Sequence, residues 1–66
     1  MTNQLVTERN VRTLKSILLL EYVGDWSVEE YSKRIDDQLS AYKDDPKEQL
    51  RVLYGMLWDG LVYGNW

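Results

Sequence analysis

Apolar residues recur at spacings of three and four along most of this chain, with polar residues filling the intervals. Val11, Leu14, Leu18 and Tyr22 follow the rule early on, and Val28, Tyr31, Ile35, Leu39 and Tyr42 follow it in the middle. Leu50, Leu53, Tyr54, Leu57 and Leu61 carry it through the last third. That period is the period of an α-helix, where positions three and four apart share a face. No stretch alternates apolar and polar residues in the period of two that a strand needs.

Start and stop signals divide the pattern into three segments. Thr7 precedes Glu8-Arg9-Asn10 as an N-cap candidate, which predicts a first helix over about residues 8–23. Gly24 is then expected to close it in a left-handed conformation. Ser27 with Glu30 three residues on forms a capping box, with Trp26 placed to staple against Tyr31, and opens a second helix over about residues 28–43. Asp45 as N-cap, Pro46 at the first helical position and Glu48 two residues later start a third helix over about residues 46–63. Gly64 is a natural stop, leaving Asn65 and Trp66 as a tail. Short connections favour antiparallel neighbours, so the expected architecture is all-α: one antiparallel three-helix bundle formed by residues 1–66 as a single domain.

The three wheels are not alike. The second helix confines its apolar residues to one arc and carries Glu29, Glu30, Lys33, Arg34, Asp36 and Asp37 elsewhere, with Glu29–Lys33 and Glu30–Arg34 spaced for i, i+4 ion pairs. The third helix has apolar residues beyond its Leu50/Leu53/Tyr54/Leu57/Leu61 face: Val52, Met56 and Tyr63 fall on a second arc, with Trp58 on a flank. Gly55 and Gly60 lie inside that helix, where glycine is costly unless something approaches the backbone closely. In the first helix Leu19 and Leu20 add two further apolar sides beyond its Val11/Leu14/Ile17/Leu18/Tyr22 face. A contiguous apolar surface of this kind marks a binding site. The expected partner interface is therefore Leu19, Leu20, Val52, Met56, Trp58, Tyr63 and Trp66. Its partner is another protein or a second copy of this chain, a homodimer being the simplest version because one patch serves twice.

Composition narrows the chemistry. With 66 residues, no Cys and no His, disulfides, thiolate and imidazole catalysis and the zinc sites built on those ligands are excluded. The adjacent acidic pairs Glu29-Glu30 and Asp36-Asp37 point about 100° apart on a helix and cannot converge on one atom, while Asp44-Asp45 is accounted for by capping. No catalytic residue, cofactor site or metal site is assigned, and the expectation is a non-enzymatic regulator, adaptor or inhibitor. The start Met1-Thr2-Asn3-Gln4 shows no basic segment leading into a long apolar one, and the longest apolar run is Ile17–Leu20. Together with the lack of Cys this points to the cytoplasm, with no membrane contact. Three Trp and five Tyr stand beside no Phe at all, a choice that suits half-buried margins and interfaces.

A different class of partner is the main rival. The stretch Trp26–Ile35, with a polar cap and two acids before an amphipathic turn, resembles the first helix of a helix-turn-helix over ten residues, which implies DNA binding. It departs from that pattern at Asp36-Asp37-Gln38, where the expected tight turn is missing. On this alternative the nucleic-acid contacts are Arg9, Arg12 and Lys15 on the first helix and Lys47 and Arg51 at the start of the third. The formal charge of −3 works against it. The acidic residues of the second helix suggest a subsidiary role, occupying a partner's basic site, although Lys33, Arg34 and Lys43 interrupt them.

Overall fold

The computed structural model describes residues 2–66, with side chains from Thr7 onward. Its elements are α1 (Thr2–Glu21), α2 (Val28–Ser40) and α3 (Pro46–Tyr63), joined by short connections and forming a three-helix bundle. Among the described residues there is no strand.

The capping signals do their local work. The Ser27 hydroxyl accepts from the Glu30 amide while the Glu30 carboxylate accepts from the Ser27 amide, each at 3.1 Å, so two donors that α2 would leave unsatisfied are paired. Asp45 Oδ1 accepts from the Glu48 amide at 3.3 Å and Pro46 follows at the first helical position. Between them, α2 stops at Ser40 rather than continuing to residue 43. The chain tightens instead through i→i+3 bonds, Tyr42 N to Leu39 O and Asp45 N to Tyr42 O, both 2.9 Å. The Gln49 side-chain amide donates to the Leu39 carbonyl at 3.4 Å and covers one of α2's last acceptors.

Two expectations about α1 are corrected. The helix begins at Thr2, so Thr7 lies within it rather than capping it; Asn3-Gln4-Leu5-Val6 contains no breaker to hold the start back. At the other end, Gly24 is not left-handed, since Gly64 is the positive-φ residue among those described. The requirement at Gly24 is for space: a Cβ there would collide with the phenol of Tyr22, which folds across it. The Tyr22 hydroxyl in turn accepts from the Trp26 amide at 3.1 Å, tying the α1–α2 connection to the helix end.

The core consists of Val11, Leu14 and Leu18 from α1, Tyr31, Ile35 and Leu39 from α2, and Leu53 from α3. Lys15 pairs with Asp36 and Tyr22 stacks on Tyr31, so α1 and α2 run antiparallel. Glu8 shares one surface depression with Pro46 and Gln49, while Tyr22 meets Trp66 at the far end, so α1 and α3 run parallel and in the closest contact of the three pairs. Tyr31 stacks on Tyr22 with ring centroids 3.9 Å apart, and Trp26 lies beneath Arg34 at 5.0 Å, a cation–π contact in place of the expected staple on Tyr31. Glu30 is engaged in its cap and Arg34 lies over an indole, which gives both a role other than the i, i+4 pair read from the sequence.

The chain ends by turning back. Gly64 at φ 66° closes α3, its amide donating to Gly60 O at 2.9 Å and the Asn65 amide to Asp59 O at 3.0 Å. That reversal lays the Trp66 indole over buried Gly60, where any Cβ would overlap the ring, and sets it edge-on to Tyr22 at 6.2 Å and 82°. Gly60 is thus the close approach that a mid-helix glycine implied; Gly55 faces open space.

Candidate interaction surface

The inward arc of α3 settles which of its apolar residues remain outside. Leu53 and Gly60 are buried, and Leu50, Val52, Met56 and Leu57 pack around them. The inward face is rotated by roughly 60° from the one its leucines suggest, at about 100° per residue. Val52 and Met56, expected on an outer arc, therefore support the core, while Tyr54 and Leu61, expected inside, stand 60% and 58% exposed. With Trp58 and Val62 they form one stripe along the outside of α3.

This stripe has a neighbour. On α1, Lys15 and Tyr22 mark the side that meets α2, and Val11, Leu14 and Leu18 point to the core. On α3, Met56 and Asp59 line a depression together with Tyr31 and Gln38, which marks its α2 side. The opposite flanks of both helices open outward beside the α1–α3 seam, with Ile17 and Leu20 on α1 and Tyr54, Trp58, Leu61 and Val62 on α3. Because the two helices run parallel with Glu8 level with Pro46 and Gln49, Ile17 and Leu20 fall within the span of the α3 stripe. Leu20 is the most exposed of the six, at 84%.

Of the interface residues read from the sequence, Leu20, Trp58 and Tyr63 are exposed, whereas Leu19, Val52, Met56 and Trp66 pack against the core. Tyr54, Leu61 and Val62 are additions that the helical period signals only once the inward face of α3 is known, while Ile17, expected on the inner face of α1, is 38% exposed. Of the basic residues, Lys15 is paired with Asp36, and Arg51 lies 3.7 Å from Glu48. Arg9, Arg12 and Lys47 are exposed.

Elsewhere, a shallow cleft of about 330 Å³ opens at the end of the bundle between Tyr22, Trp26, Arg34 and Trp66. Its aromatic faces are already engaged, Tyr22 with Tyr31 and Trp66, and Trp26 with Arg34. Among the described residues no group of three or more potential metal ligands is gathered, and no helix is long and apolar enough to cross a membrane. Comparison with protein-family models, with curated proteins and with solved structures found no match.

Proposed function

We propose that this chain is a non-enzymatic helical protein that acts by protein–protein contact, as a regulator, adaptor or inhibitor of another macromolecule, through the outer face of α1 and α3. One observation carries the reading: in a domain with so little core, Leu20, Tyr54, Trp58, Leu61 and Val62 stand together more than half exposed. Monomeric soluble proteins seldom leave that much contiguous apolar surface without a partner. Tyr and Trp are also the residues that anchor interfaces, because they combine large contact area with few rotatable bonds. A cytoplasmic setting belongs to the same reading and rests on the absence of Cys.

Affinity capture from an extract of the source cell tests it, comparing the native chain with Leu20→Glu and Trp58→Glu. Both positions are exposed, so neither change enters the core. A protein retained by the native chain and lost by both variants is the expected result; identical captures from all three would sink the reading. The DNA-binding alternative has less support, since Lys15 and Arg51 already face carboxylates. No retardation of duplex DNA at low salt is expected.

A further inference from the structure

The α1–α3 face has both the size and the charge layout of a self-complementary surface, and we infer that it pairs with the same face of a second copy, the two related by a two-fold axis perpendicular to the helices. This deepens the reading above and rests on it for the location of the contact. With aromatic side chains presenting roughly 150–250 Å² each, the exposed parts of the six residues add up to something on the order of 600–800 Å². A stable interface takes about 800 Å² from each partner. The face therefore offers nearly all the area that one isologous contact needs.

Charge selects the orientation. Lys47 lies at the N-terminal end of the α3 stripe with Arg51, whose guanidinium is 3.7 Å from Glu48, and Arg9 stands at the same end on the outer side of α1. Glu21 stands at the C-terminal end of the same face, and it, Lys47, Arg51 and Arg9 are all exposed. Since α1 and α3 are parallel, the face is basic at one end and acidic at the other, with the apolar residues between. A two-fold axis across the helices sets the basic end of each copy against the acidic end of the other. An axis along the helices would set like ends together. Rim charges contribute little affinity, yet they decide register and orientation between apolar surfaces that would otherwise slide. The result is a layer of four helices, α1 and α3 from each copy, with α2 outermost on both sides.

Sedimentation equilibrium of the full chain from roughly 1 to 300 µM, with helicity followed by circular dichroism, tests the pairing. The expected native mass is twice the 7.9 kDa of the chain. Leu20→Glu and Trp58→Glu should each raise the dissociation constant at least about 100-fold, because each places an unpaired charge in the contact. Glu21→Lys should weaken pairing about tenfold, and Lys47→Glu added to it should restore most of the loss. Neither charge change harms the monomer: a cation at the end of α1 and an anion at the start of α3 both suit the helix dipole. A native chain that stays monomeric throughout overturns the pairing, while face-dependent capture of another protein would leave the proposed function standing. A dimer indifferent to Leu20→Glu and Trp58→Glu overturns it as well. Failure of Lys47→Glu to rescue overturns the antiparallel orientation.

Discussion

Two glycines in one helix have opposite reasons to be there, and substitution separates them. Gly55 faces open space, so Gly55→Ala is expected to stabilise the fold by about 0.5–1 kcal/mol through the lower backbone entropy of alanine in the unfolded chain and its better helix propensity. In a domain of this size that is a rise in melting temperature of roughly 2–8 °C. Gly60→Ala gains the same propensity but drives a methyl into the Trp66 ring. Trp66 must then leave its seat and its edge contact with Tyr22. The expected outcome is a lower melting temperature with a red-shifted tryptophan emission, and a Gly60→Ala variant with native emission would contradict the packing described. Tyr31 provides a residue-scale test in pH. It is 1% exposed, and burial pushes its phenol above the usual value near 10, reinforced by Tyr22 and opposed by Arg34. The folded chain keeps this proton where the unfolded chain loses it. The stabilisation is complete below about pH 10 and is lost as pH rises through the folded value. Thermal melts between about pH 8 and 11 should show the decline, and Tyr31→Phe should make it shallower.

At the scale of elements, the helix starts that carry capping chemistry were legible and the others were not. Ser27 with Glu30 and Asp45 with Pro46 place α2 and α3 because each supplies a partner for backbone donors that the helix itself leaves unpaired. Asp45→Ala and Ser27→Ala should each cost about 1 kcal/mol, read from chemical denaturation midpoints at unchanged slope. Where α1 begins has no such mark. Thr7 has the residue type of a cap, but nothing before it breaks the helix, so residue type alone misplaced the start. The inward face of α3 departs from its leucine stripe for a different reason. Apolar residues surround most of that helix, and their periodicity fits more than one rotation. The residue that decides among the rotations is Gly60, which has no side chain to register in a hydrophobic pattern. It is buried because Trp66, six residues on, returns to cover it. Reading that contact requires knowing that Gly64 is left-handed, a backbone fact with long reach. The same rotation explains why Trp58 is exposed as expected while Val52 and Met56 are not; Tyr63 shares their side of the wheel but is the last residue of α3 and stands 72% exposed.

For the whole molecule, the exposed face makes stability a function of concentration. A domain of this size buries only about 60% of the surface of its unfolded chain, and its stability as a monomer should be a few kcal/mol. Leu53 shows how narrow that margin is: it is fully buried, and Leu53→Ala should cost about 2–5 kcal/mol, enough to leave much of the chain unfolded. Pairing adds to this margin by mass action, because a second copy binds the folded state and not the unfolded one. At a free concentration 100 times the dissociation constant the gain is about 2.7 kcal/mol. The melting temperature of the native chain should therefore climb as concentration is raised from about 1 to 300 µM, and that of Leu20→Glu should stay flat. At the lowest concentrations the two should converge, since Leu20 is 84% exposed in the single copy and contributes little to its core. The core variant behaves differently: Leu53→Ala should melt lower at every concentration while keeping the slope of the native chain, because it weakens the fold and leaves the outer face intact. Parallel, concentration-independent curves for native and Leu20→Glu chains would mean that the six apolar residues stand in water for some purpose other than pairing.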